Sequence, residues 1–381
     1  MWTKAIVTSL LMCSIRIVAA AQATYTVTDL GQLSPNAINS WAQVVGNYNN
    51  QAYIWSFGRL RALGKLPGGM SSSAAAINDL GVVAGTADGP GTVVSTTGSP
   101  SMECADLTQP FVWTSTSGMK GLGTVGLPSY SIFWCYLPFD ASDINDSSQV
   151  VGFQAASYNN FGWGFAWTKP KGMKLLGGSW VPTFARSVNN YGAIVGQNSV
   201  SDSNGLTIFV GHATLWRNGA TTDLGSLGGG PEVTDYASSA NGVNDLGQVV
   251  GWSSTSRVVQ GGSPVHAVIW NAGTGITDLG TLPGDTSSAA LKINLSGQVI
   301  GSSGNSIYPF PFQENLPFEV IGHPFVWSKT KGMRDLNNLI PANSGWVLNS
   351  VKDINFWGQI VGSGTRNGQT HGFLLTPTVL W

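Results

Sequence analysis

Ile293-Asn294-Leu295-Ser296-Gly297-Gln298-Val299-Ile300-Gly301 holds the pattern that decides the fold. Apolar residues flank a short polar segment, which is the signature of a β-hairpin. Asn and Gly stand seven residues apart, and the same pair recurs as Asn39…Gly46, Asn78…Gly85, Asn145…Gly152, Asn189…Gly196, Asn244…Gly251 and Asn355…Gly362. Asn bonds readily to its own following backbone, and Gly accepts a positive φ. Turn glycines at 81, 192, 247, 297 and 358 fit the same reading, with Ala42 and Ser148 in the remaining copies.

Working outward, each copy continues into a short apolar strand ending in Trp55, Trp113, Trp167, Trp216, Trp270 or Trp327, with Leu375 in the seventh copy. Nine or ten residues later comes a Leu-Gly or Asp-Leu-Gly strand, ending at Gly64, Gly123, Gly177, Gly225 and Gly280, with Asn337 in the sixth. No segment carries the 3.6-residue period of a helix. Four strands per copy and seven copies predict an all-β, seven-bladed β-propeller spanning residues 24–381. Tyr25–Gly31 reads as a fourth strand with no blade before it, while the last copy stops after its third strand. The N-terminal strand is therefore expected to complete the last blade and remove an exposed sheet edge. A β-solenoid, the alternative, would need no such spare strand.

Composition narrows the function classes. Of 381 residues, 42% are hydrophobic and 10% charged, which excludes intrinsic disorder. The 50 Gly lack a triplet period, which excludes collagen. A formal charge of −1 gives no electrostatic reason to expect nucleic acid. Residues 1–23 read as a signal peptide, with Lys4, an apolar run and an A-x-A site near Ala21 or Ala23. Cleavage removes Lys4 and Arg16 and leaves 16 basic against 19 acidic residues, or −3. The expectation is a secreted or periplasmic monomer with no membrane span. Cys104 and Cys135 would then form a disulfide, worth about 3–4 kcal/mol by loop closure.

The units resemble the HAF-repeat family of secreted proteins, on the strand openings His212-Ala213-Thr214-Leu215-Trp216, His266-Ala267-Val268-Ile269-Trp270, His323-Pro324-Phe325-Val326-Trp327 and His371-Gly372-Phe373. The resemblance spans residues 25–376 and implies the fold and export; it transfers no active site. All four His occupy one repeat position, so they read as strand-start donors to backbone groups and not as ligands. No P-loop, zinc box, EF-hand loop or nucleophile elbow is present. Neither a cofactor nor a metal is expected.

Length varies on one side only. The hairpin turns are constant, whereas Gly46 to Trp55 is nine residues and Gly85 to Trp113 is 28. In a four-stranded blade, the second-to-third connection and the link to the next blade share one face, so that face carries the long loops where binding usually resides. Its loops gather acids, while Lys169, Lys171, Lys174, Lys329, Lys331 and Arg334 lie in the short third-to-fourth segments. One face should therefore be acidic and the other basic. The long loops supply Tyr130, Trp134, Tyr136, Trp163, Trp180, Trp346 and Asp106 as candidate ligand-binding residues. Aromatic faces stack on sugars and carboxylates accept their hydroxyl protons. An extracellular glycan or protein ligand is the first expectation. The second is a glycoside hydrolase using two carboxylates, with Asp140 and Glu103 first, then Glu232 and Asp235. A purely structural matrix component is the third.

Overall fold

The computed structural model describes residues 24–95, 102–104, 108–126, 139–155, 162–177, 182–200, 210–228, 236–256, 263–306 and 320–378. The expected signal segment lies outside them. Seven four-stranded antiparallel sheets follow one another around a central channel. Blade 6 is representative, with strands Ser287–Ile293, Val299–Gly304, Gly322–Ser328 and Gly332–Asp335 running from the channel outward. The inner strands of adjacent blades touch each other all round the ring.

Closure is as the sequence predicts. Blade 7 takes Trp346–Ile354, Ile360–Arg366 and Gln369–Pro377 from the C-terminal end, and Tyr25–Asp29 as its outer strand. The register runs antiparallel from Tyr25 opposite Pro377 to Asp29 opposite Phe373. Blade 2 carries an addition that the repeat pattern does not announce. Gly91–Ser95, Met102–Cys104 and Thr124–Gly126 form a small three-stranded side sheet, with the last strand parallel to the first.

Two features of the repeat acquire physical causes. The turn glycines have φ near 75°, and Ala42 and Ser148 adopt φ 59° and 58° in their place. The glycines that end each motif are different: none has a positive φ, which corrects the expectation of left-handed backbone there. Each stands beside a carbonyl oxygen of the inner strand, and an added Cβ would fall inside that oxygen's van der Waals sphere. Several also lie across from a fully buried Phe on the third strand, as Gly301 faces Phe325 and Gly362 faces Phe373. All seven inner strands shift register by one residue within this stretch, as between Ala290 and Lys292. The bulge brings the inner strand against the glycine and bends it at the channel wall. Among the described residues no helix is long and apolar enough to cross a membrane.

Candidate functional site

The motif asparagines close a ring. Each side-chain amide donates to the backbone carbonyl of the asparagine in the next blade: Asn39 to Asn78, Asn78 to Asn145, Asn145 to Asn189, Asn189 to Asn244, Asn244 to Asn294, Asn294 to Asn355, and Asn355 back to Asn39, at 2.9–3.1 Å. The expected local role is also present, since Asn39 Oδ1 accepts from the amides of Trp41 and Gln43. One buried side chain thus satisfies its own hairpin and ties two blades. Hydrogen bonds between buried polar groups resist substitution because the partners are left unpaired in a dry setting.

Below the ring the channel holds charge. Asp143 of blade 3 accepts from Ser187 Oγ at 2.6 Å and Val188 N at 3.1 Å, both in blade 4, and lies 3.4 Å from Lys292 Nζ of blade 6. Asp353 of blade 7 accepts from Ile38 N of blade 1 at 2.9 Å. These groups bridge blades across the axis, in keeping with a scaffold role for Asp143 and Asp353. Burial pushes the Asp353 carboxyl up to about 6, while Lys292 and backbone donors pull the other way. A carboxyl raised above its unfolded value of about 3.9 favours folding while protonated. That contribution is present below about pH 4 and is lost as pH rises through about 6. Asp353→Asn should remove this loss, so its melting temperature should gain on the wild type as pH rises from about 4 to about 7. A constant difference across that window would contradict the assignment.

The histidines have carboxylate partners and not the backbone partners expected. His212 Nδ1 lies 2.7 Å from Asp223, His266 Nδ1 2.8 Å from Asp278 and His371 Nδ1 2.9 Å from Asp29. The same aspartates accept the backbone N–H two residues on, at Gly225, Gly280 and Gly31. The His of the third strand and the Asp of Asp-Leu-Gly are thus one structural pair. His323 departs from the pattern and approaches Asp285 at 3.5 Å, while Asp335 accepts from the turn amide of Asn337. Among the described residues no group of three His, Cys, Asp or Glu could hold a metal ion.

The long-loop face carries a groove of about 1100 Å³ between blades 1, 2 and 3 at the channel end, with Thr370 of blade 7 at its edge. Its wall mixes polar and apolar groups: Asn47, Asn49, Asn50, Ser71, Ser73, Thr86, Asp88 and Asp140 share it with Tyr48, Ala75, Ala87 and Ala141. Asn49 and Asn50, at φ 47° and 56°, form the tight turn that places their side chains there. Asp140 stands on the inner strand Phe139–Ile144. Burial holds its carboxyl above the usual range, and the Thr86 hydroxyl bonded to it offsets only part of this. Asp88 differs. Burial pushes it up too, but Met70 N at 2.8 Å, Ser71 N at 2.5 Å and Ser71 Oγ at 2.8 Å hold it below the ordinary value.

Of the residues singled out in the sequence, Asp140 is the one this groove uses. Glu103 and Cys104 stand on the side sheet of blade 2. Tyr130, Trp134, Cys135, Tyr136, Asp106, Trp180, Glu232 and Asp235 lie outside the described residues. Trp163 is 8% exposed on the third strand of blade 3, and Trp346 is 9% exposed. The Trp346 ring meets His371 and Phe373 edge-on and receives the Arg366 guanidinium 5.9 Å from its centroid. Both indoles are thus occupied in packing and not offered to a ligand. Sequence reasoning missed Asn47, Asn49 and Asn50, whose tight turn between two strands is the signal that could have marked them.

No family model matches the chain, and no curated protein matches it. Among solved structures, the β-propeller domain of the Trilobed protease from Pyrococcus furiosus superposes with TM-score 0.52 at 9% identity, covering 92% of this chain and 96% of that one. Its propeller is described as having an open velcro topology, whereas here Tyr25–Asp29 pairs with Gln369–Pro377. An oligogalacturonate lyase in complex with manganese matches with TM-score 0.47 at 11% identity, over 92% of this chain and 90% of that one. A Pyrococcus horikoshii acylaminoacyl peptidase matches with TM-score 0.49 at 12% identity, over 90% of this chain and 52% of its own. This chain is a β-propeller.

Proposed function

We propose that the chain is an exported recognition propeller that binds a hydroxyl-rich ligand, a glycan, in the groove beside Asp140. One observation carries this reading: a broad groove that amides and hydroxyls line together with a half-buried carboxylate, beside apolar side chains. Such a carboxylate accepts sugar hydroxyl protons, and neighbouring amides of Asn47, Asn49 and Asn50 both donate and accept. The A-x-A segment before Thr24 supports export. Cleavage there would leave the closing strand at the start of the mature chain.

Purified mature protein screened against a glycan array, then titrated with the best ligand, tests the proposal. Asp140→Asn keeps the shape but removes the charge-assisted acceptor, so the Kd should rise roughly 10- to 100-fold. An unchanged Kd, or an array with no ligand, would refute the reading.

A second reading has one specific observation behind it. Asp140 is raised and Asp88 is lowered, yet both line one groove, and carboxyls pushed apart in this way divide into acid and base in glycosidases. The three donors already held by Asp88 favour a capping role, which places catalysis second. Shortened products after incubation with the array ligand would reverse that order.

A further inference from the structure

The opposite face of the ring presents a crown of apolar tips. Two residues after each motif asparagine stand Trp41, Leu80, Tyr191, Leu246 and Trp357, with Ser147 and Ser296 in the other copies. The five apolar side chains are between 52% and 72% exposed. Phe57, at the third-to-fourth turn of blade 1, is 86% exposed. That turn and the tips share one face, because Trp41, Leu80, Phe57, Arg59 and Arg61 line a common groove of about 820 Å³. Contiguous exposed apolar groups on a folded protein mark an interaction surface, and Trp41, Leu80 and Phe57 meet in one groove here.

Around the crown runs a basic rim. Lys169, Lys171, Arg217 and Lys329 lie at or beside the third-to-fourth turns, and all four are exposed. Among the described residues none of them has a carboxylate within salt-bridge distance. This face also carries carboxylates at the channel mouth, where Asp79 accepts from Ser40 N and Oγ, Asp146 from Asp79 N and Asp245 from Asn190 N; the basic side chains stand on the turns outside them. The indole N–H groups are satisfied as well: Trp41 Nε1 donates to Asp79 O and Trp357 Nε1 to Ser40 O, both at 3.0 Å. An indole whose N–H is already paired enters a low-dielectric layer without leaving a donor unmet.

We propose that this face docks on an anionic lipid surface, with the crown in the headgroup layer and the basic rim over the charged heads. The partner is chosen by shape and charge. The apolar groups stand on hairpin tips around a ring, which suits a planar, deformable partner. Aromatic and aliphatic groups at the interface with Lys and Arg beside them are what such a surface selects. A second copy seated face to face would oppose two basic rims, which disfavours a dimer through this surface.

The test uses the full mature chain and two vesicle types, phosphatidylcholine alone and phosphatidylcholine with phosphatidylglycerol. The protein should sediment with the anionic vesicles at low salt, leave them at high salt and ignore the neutral ones. Leu80→Ser with Leu246→Ser should lower the partition coefficient roughly tenfold, and Lys169→Glu with Lys171→Glu by a similar factor. Unchanged melting temperature and unchanged Asp140-site ligand binding verify that the variants are folded. Equal binding to both vesicle types, or binding to neither, overturns the proposal. So does a dimer that the Leu→Ser pair dissociates while anionic vesicles stay unbound.

Discussion

Gly301→Ala should cost more than about 3 kcal/mol, while Gly297→Ala, four residues earlier, should cost about 1–2 kcal/mol. The two glycines serve one hairpin in different ways. Gly297 sits at φ 76° with only Gln248 Oε1 near, at 3.7 Å from an added Cβ, so alanine there meets backbone strain and little else. At Gly301 an added Cβ falls onto the carbonyl oxygen of Ala289 and 2.7 Å from the Phe325 ring. The oxygen belongs to the inner-strand backbone and the ring is fully buried, so neither yields without moving the blade. Urea unfolding of both variants gives the comparison. Near-equal losses would contradict the close-approach account, and the same contrast should appear between Gly251, beside the Ser239 carbonyl, and Gly247, which has open space around it.

Removing Tyr25–Asp29 should abolish the stable monomer. The deletion takes away all five register pairs with Gln369–Pro377 and leaves that strand as an open edge. It also removes Tyr25, fully buried with Leu336, Leu339, Trp346, Phe373 and Leu375. Burial of one large side chain contributes about 1.5–3 kcal/mol, before the hydrogen bonds of the strand are counted. Arg366 and His371 both lose Asp29, their partner at 2.5 Å and 2.9 Å. Exposed edges pair with other chains, so the truncated protein should aggregate or melt far below the full chain. Adding a synthetic peptide of residues 24–31 should restore part of the melting temperature. A truncated protein as stable and monomeric as the intact one would show that the ring does not depend on this closure.

The architecture was legible because its signals are local. Asn and Gly recur at a fixed spacing, and a spare strand at one end matches a missing strand at the other. The energetic logic was less legible. The asparagine amide reaches a carbonyl 39 to 316 residues away, and no spacing rule within one copy exposes that. The motif-final glycine looked like a turn residue, whereas its cause is a neighbouring strand bulge. Histidine and aspartate were each recognised as repeat positions, yet their pairing spans two strands of one sheet. The groove beside Asp140 draws on four blades, and Asn49 and Asn50 form a second-to-third connection of only two residues. Attention to long loops therefore passed over them.

The most direct measurement is hydrogen exchange of the mature protein with and without the array-selected glycan. The proposed site predicts slower exchange in peptides covering 47–52, 71–75, 86–88 and 139–141, with the hairpins at 39–46 and 244–251 unchanged. Protection confined to those hairpins, or spread evenly over the ring, would contradict a ligand site at Asp140.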